Sequence, residues 1–472
     1  MPCCAASAGL EDPVPVIDEI LVSASPGEVR VAALSGGRLV DFAVERGADL
    51  TLGAVYRGRV VRVEGALGAA FVDIGRSRPG FLPAEAARHL VQPVAPPGTA
   101  INALTGEGAQ VLVQAIRPET GDKGVGLTAE IALTGTLAVL MPLGNEIAVS
   151  RRIHRRAERE RLKEIAAEAT GGMGVILRSA AEGVDDDRLF DEIERLIGIW
   201  HSLDTSGATP SVVLRPLGAA ALALGEAPDG ARIVVDDRAL LNDLADHARK
   251  WRPDLASQLA LHSADEPLFA RHDVESEIEA ALDPRVDLPG GGSLVIEQTA
   301  ALVAIDVNGG GSGRTPLEVD LVAAQEIARQ LRLRNLGGLI VVDFLRPRGR
   351  DERDTVFEAL IEACADDRVP VQVMGWTRAG LVELTRPRDR PPLAETMSGA
   401  VSAAHAALRA TLAAARRHPA GRYRVLAAPA LVAYLQGEGR GALEAAGRRL
   451  GAVPELVAEP GRSVHGFEIA AV

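Results

Sequence analysis

The chain has 472 residues, enough for several cores, with 47% hydrophobic and 24% charged residues. Its net charge of −13, from 51 Lys+Arg against 64 Asp+Glu, argues against indiscriminate binding of polyanions, so a nucleic-acid role must rest on local patches. No apolar run approaches the ~20 residues of a membrane span. The N-terminal residues lack the basic and long apolar regions of a signal peptide, and three cysteines make no disulfide framework, which together suit the cytoplasm.

Strand-like runs at 19–24, 29–33 and 38–44 open the chain. From Leu52 to Thr128 the pattern is that of a small barrel. Val55–Val63 largely alternates apolar and polar residues, and further strands are expected at 69–74, 80–82, 109–116 and 124–128. Five such strands suit an OB-fold, with the Pro/Gly-rich stretch 92–106 as a long loop. A mixed region follows to about Ser206, with a charged helix over 158–169 and a strand over 175–178. The basic run Arg151, Arg152, Arg155, Arg156, Arg159, Arg161 and Lys163 is interleaved with Glu158, Glu160 and Glu164, the pattern of a solvated helix face. Only Arg151 and Arg152, which precede the acids, stand out as binding candidates. Strands at 211–214 and 231–235 then alternate with a helix over 238–250, and an Ala-rich helix over 397–417 leads into a compact α/β tail.

The segment 293–373 carries the chemistry. Ala301–Ile305 is an apolar run ending in Asp306-Val307-Asn308, followed by a glycine-rich loop, Gly309–Gly313. Thr315-Pro316-Leu317-Glu318 is a capping box with proline at the first helical position, so a helix begins there. It shows Leu321, Ala324, Ala328 and Leu331 on one face and Arg329, Arg332 and Arg334 toward another. After Gly337-Gly338, the run Leu339–Val342 reads as a buried parallel strand ending at Asp343. A right-handed crossover makes the two strands parallel, with an aspartate at the carboxyl end of each, where open sheets bind ligands. Two carboxylates brought together repel unless a cation sits between them, and oxygen donors alone suit magnesium or manganese. One aspartate after a strand is commonly a turn former; two in one crossover unit, with Asn308 close by, point to a metal site. No Gly-Lys-Ser/Thr follows the glycine loop, which excludes a P-loop.

The stretch Ile296-Glu297-Gln298-Thr299 through Ile305-Asp306-Val307-Asn308 resembles the active-site strand of the ribonuclease E/G family, as does Glu326-Ile327-Ala328-Arg329-Gln330-Leu331 through Asp343-Phe344. The resemblance extends over almost the whole chain. It implies a magnesium-dependent endoribonuclease acting on single-stranded RNA to give 5′-phosphate and 3′-hydroxyl ends. Asp306 and Asp343 match its magnesium-binding aspartates and Asn308 its assisting asparagine. Phe71, Phe81 and Lys123 match its RNA contacts on the barrel; pattern alone would put Phe71 in the barrel core. Arg178, Ser179, Arg151 and Gly135 match its pocket for a 5′-monophosphate end, with serine where threonine is usual.

The implied fold is multidomain α/β: an OB-fold barrel (49–129) inserted in a pseudo-RNase-H domain (1–48 and 208–285), and a 5′-sensor region (130–207). A DNase-I-like catalytic domain (286–395) and a small C-terminal α/β domain (396–472) complete it. Three departures stand out. Met397-Ser398-Gly399-Ala400 occupies the place of a Cys-x-x-Cys pair that joins two protomers through zinc, so no zinc is expected and a homodimer must rest on other contacts. The loop between the aspartates is shorter than usual. Arg346 stands where an acidic residue is typical. The last two, with the acidic net charge, motivate the alternative of a noncatalytic RNA-binding or ribosome-associated protein.

Overall fold

The computed structural model describes residues 17–46, 53–117, 124–150, 153–203, 206–214, 218–311, 313–418 and 421–471. The chain forms two units, Asp49–Gly225 and the combination of Met1–Ala48 with Glu226–Val472.

In the first unit, five strands close into a barrel. Val55–Glu64 pairs with Ala69–Asp73, then follow Gly80–Pro83, Gly126–Thr128 and Gln110–Arg117, which returns to Val55–Glu64. Alternation sends Val60, Val72, Leu82, Val113 and Leu127 inward, and their burial against one another is what closure gains. Within the stretch expected to be loop, Ile101–Leu104 is a short helix whose end residues, spaced i and i+3, both enter the barrel core. Ser211–Leu214 pairs with Val55–Arg57 and so extends the barrel sheet, rather than joining the strand Arg232–Val235.

A four-stranded sheet follows, ordered Ile147–Val149, Gly174–Leu177, Ala138–Met141, Leu133–Thr134. Helices Arg156–Thr170 and Asp186–Ser202 accompany it. The second helix escaped the sequence reading, although Asp185 caps it and Leu189, Ile193 and Leu196 are buried along one side. Three members of the basic run are tied down: Arg159 donates to Ser150 and Ile153 carbonyls, Arg161 pairs with Glu158 and Asp186, and Lys163 lies 3.7 Å from Glu160.

In the other unit, Glu19–Ser25, Glu28–Ser35 and Arg38–Arg46 form an antiparallel meander. Glu19–Ser25 also pairs in parallel with Arg232–Val235, which is itself parallel to Leu259–Leu261. A six-stranded sheet runs Arg285–Asp287, Ser293–Gln298, Leu302–Asn308, Gly338–Asp343, Val382–Arg386, Gln372–Trp376. Its apolar face packs beneath helices Pro316–Leu333 and Gly349–Cys364, with Ile305, Val307, Ile340 and Val342 meeting Ile327, Leu331, Val356 and Leu360. The arginine side of the first helix is not a solvated face. Arg329 donates to the Leu39 carbonyl and to Glu326, and Arg332 reaches Asp41 at 3.4 Å, so this helix is held between two sheets. The C-terminal segment places Tyr423–Ala427 between Glu455–Ala458 and Phe467–Ala471, covered by helices. Among the described residues no helix is long and apolar enough to cross a membrane.

Candidate active site

Leu302–Asn308 and Gly338–Asp343 are adjacent and parallel, and their register sets Asp306 directly beside Asp343. Neighbouring strands lie about 4.8 Å apart, and residues in register share a face. Along the first strand Val303, Ile305 and Val307 go into the core, which turns Ala304, Asp306 and Asn308 outward; the same alternation buries Ile340 and Val342 and exposes Asp343. The capping box forms as the sequence implied: Thr315 Oγ1 accepts the Glu318 N–H at 3.3 Å, and Glu318 accepts the Thr315 N–H at 2.8 Å. That fixes the helix start, and with it the crossover that returns the chain to the strand carrying Asp343.

Asn308, two residues along the same face, donates from Nδ2 to Asp306 Oδ2 at 2.8 Å. One oxygen of Asp306 is thereby oriented. Among the described residues, no three His, Cys, Asp or Glu side chains gather as a metal cluster. The donor set is therefore two carboxylates on an open face with a carboxamide beside them. Magnesium is commonly held in this way, by one or two carboxylates with waters completing its shell. Arg346 is exposed three residues past Asp343. Cys364 is buried beneath the sheet, where loss of solvent pushes its thiol up to about 12, so it is inert there.

On the barrel, Phe71 and Phe81 are cross-strand partners with ring centroids 5.9 Å apart, edge to face. Neither is in the core; Ala70, Val72 and Leu82 fill that role. The register extends this pair into a row. Arg62 faces Phe71 across one side with its guanidinium 4.5 Å from the ring centre, and Phe81 faces Gly126, which faces Arg117. A Cβ on Gly126 would fall 2.8 Å from Arg117 Nε, so the side chain of Arg117 lies over that glycine. Two aromatic faces flanked by two exposed arginines offer stacking for bases and cations for phosphates. Sequence reasoning missed Arg62 and Arg117, because only the pairing register brings them to the aromatics.

At the four-stranded sheet, Arg178 Nη1 donates to the Gly135 carbonyl at 2.8 Å, and Ser179 is exposed beside it. The Gly135 N–H is spent on the Ala138 carbonyl at 2.8 Å, so in this conformation it is the turn and not a free donor. Behind the turn, buried Glu192 accepts the N–H groups of Leu137 at 2.6 Å and Ala138 at 3.0 Å. Burial holds its carboxyl above the usual range against those bonds. A Cβ at Gly135 would fall 2.5 Å from Glu192 Oε1, so a larger residue there would push the carboxylate off the bonds it makes. Glu192 was also missed; it comes from the unanticipated helix. Lys123 and Arg151 lie outside the described residues.

The sequence profile of the ribonuclease E/G family matches residues 132–389. Ribonuclease G of Salmonella typhimurium (strain SL1344) is 33% identical over 96% of this chain and 99% of its own length. Ribonuclease G of Escherichia coli (strain K12) is 34% identical over 89% of this chain and 92% of its own. Ribonuclease E of the same strain is 36% identical over 78% of this chain but only 36% of its own length. A profile covering more than half the chain, and relatives above 30% identity from end to end, leave one conclusion: the chain belongs to the ribonuclease E/G family.

Proposed function

We propose that this chain hydrolyses single-stranded RNA at a divalent cation held by Asp306 and Asp343, leaving 5′-phosphate and 3′-hydroxyl ends. The chain is an endoribonuclease of RNA processing, as its family and relatives named ribonuclease G along nearly its full length imply. Support for a cation at this site comes from the register of Asp306 against Asp343 on an exposed sheet face. Magnesium, or manganese, would polarise a water for attack and draw charge from the phosphodiester. The residues supply the rest. Both aspartates offer oxygens, and the Asn308 amide keeps Asp306 from rotating away. Phe71 and Phe81 stack unpaired bases, with Lys123 as a basic contact. Arg178 and Ser179, with Arg151 and the Gly135 turn, receive a 5′-monophosphate.

The finer architecture proposed is the split pseudo-RNase-H domain with its inserted OB-type barrel, followed by the sensor, the DNase-I-like domain and the C-terminal domain. The proposed setting is the cytoplasm, with any homodimer formed without zinc. The test is cleavage of a short 5′-phosphorylated RNA. Cuts should need added Mg²⁺, stop with chelator, and disappear in Asp306→Asn and Asp343→Asn. Undiminished cleavage by either variant, or RNA binding with no cleavage by the wild type, overturns the reading.

A further inference from the structure

Helix Pro316–Leu333 buries two acids, and they are treated differently. Glu326 pairs with Arg38 and Arg329. Asp320 is fully buried, its Oδ2 has no hydrogen-bond partner among the described residues, and burial with Glu352 nearby pushes its carboxyl up to about 7. Its other oxygen, Oδ1, accepts the backbone N–H of Leu345 at 2.9 Å. Leu345 lies two residues past Asp343, and its side chain packs on the core. A Cβ on Gly309, the residue after Asn308, would come within 3.3 Å of Leu345 Cδ1. The Leu345 side chain thus lies over the chain leaving one aspartate while belonging to the chain leaving the other.

We propose that Asp320 is a positioning residue for the metal pair: by holding the Leu345 N–H, it fixes the two segments that leave Asp306–Asn308 and Asp343 relative to each other. Asp320 contacts neither substrate nor cation. Among the described residues no cation pairs with it, so it gains little from charge, and its contribution is the geometry of the one bond it makes. The inference rests on the metal reading of Asp306 and Asp343.

The test is Mn²⁺ binding to the full chain, followed by the EPR signal of the free ion, in wild type, Asp320→Ala, Asp320→Asn and Asp306→Asn/Asp343→Asn. Asp320→Ala should bind Mn²⁺ about tenfold more weakly, the usual size of an effect from groups that orient metal ligands. Its affinity for an RNA oligonucleotide in chelator should be unchanged. Asp320→Asn, which keeps an oxygen for the Leu345 N–H, should recover wild-type binding. Wild-type Mn²⁺ affinity in Asp320→Ala, or an asparagine variant as weak as alanine, overturns the proposal. If the double aspartate variant binds Mn²⁺ like wild type, the metal reading itself has failed, a separate outcome. Should Asp320→Ala not fold, hydrogen exchange in the wild type decides. The Leu345 amide should exchange more slowly than that of Arg346 and slow further with Mn²⁺; exchange at the Arg346 rate in both conditions overturns the proposal.

Discussion

Asp41 and the pair Asp306–Asp343 are treated in opposite ways by one half of the molecule. Asp41, on the third strand of the chain, is buried and lies 3.4 Å from Arg332, 3.2 Å from Arg368 and 3.6 Å from Arg390. Burial alone would raise its carboxyl, yet Arg368, Arg390 and Arg332 outweigh that and hold it at about 2. Arg368 is also bound to Asp389 at 2.9 Å and Asn335 at 2.6 Å, while Arg386 is bound to Asp367 at 2.9 Å. Asp306 and Asp343 have each other, an asparagine amide and open solvent. A carboxylate that holds the fold together is given its cations by the chain. A pair left side by side on an exposed face has no such partners, and on the proposed reading its cation comes from outside.

The sharpest way to break this contrast is to neutralise each acid in turn and compare folding with turnover. Removing one partner from a buried ionic network costs about 3–5 kcal/mol, so Asp41→Asn should lower the urea midpoint strongly. Asp306→Asn removes like-charge repulsion at an exposed site, so its stability should stay within about 0.5 kcal/mol of wild type, or rise. Its cleavage rate should collapse. A large loss of stability in Asp306→Asn would make the pair structural and dissolve the distinction.

The parts of this contrast that sequence could supply are the local ones. The apolar runs before Asp306 and Asp343 and the Thr315–Glu318 capping box were enough to imply a strand–helix–strand unit, and the parallel register realises it. The barrel strands were legible to within a residue or two, because half-buried strands alternate. What stayed hidden depends on partners far apart in the chain. Arg332 reads as one more charge on a helix until Asp41, 291 residues away, is folded against it. Glu192, on a helix that the sequence reading missed, shows its role only where it meets the backbone of Leu137, 55 residues earlier. Arg62 joins Phe71 only because a register shift in the barrel strand sets them opposite each other.

A second test sharpens the line between recognition and chemistry. Base stacking on an aromatic side chain contributes about 1–3 kcal/mol per base, so Phe71→Ala with Phe81→Ala should raise KM for RNA at least tenfold. The value of kcat at saturating RNA should change little. Arg62→Ala should show a smaller effect of the same kind, since an exposed cation over a ring is worth about 0.5–1 kcal/mol. The opposite split, kcat falling with KM unchanged, would assign the barrel row to catalysis.

A third test follows the buried acid by pH. The folded pKa of Asp41 is depressed from 3.8 to about 2, so its contribution is complete above the unfolded value and is lost as pH falls through the folded one. A shift of this size corresponds to roughly 2 kcal/mol, spread over the interval from about pH 4 to pH 2. Urea midpoints of wild type and Asp41→Asn should therefore converge as pH drops from 5 toward 2.5, because the wild type loses what the variant never had. Parallel curves over that interval would mean that the three arginines do not discriminate the ionised form, and that Asp41 holds its place by hydrogen bonding alone.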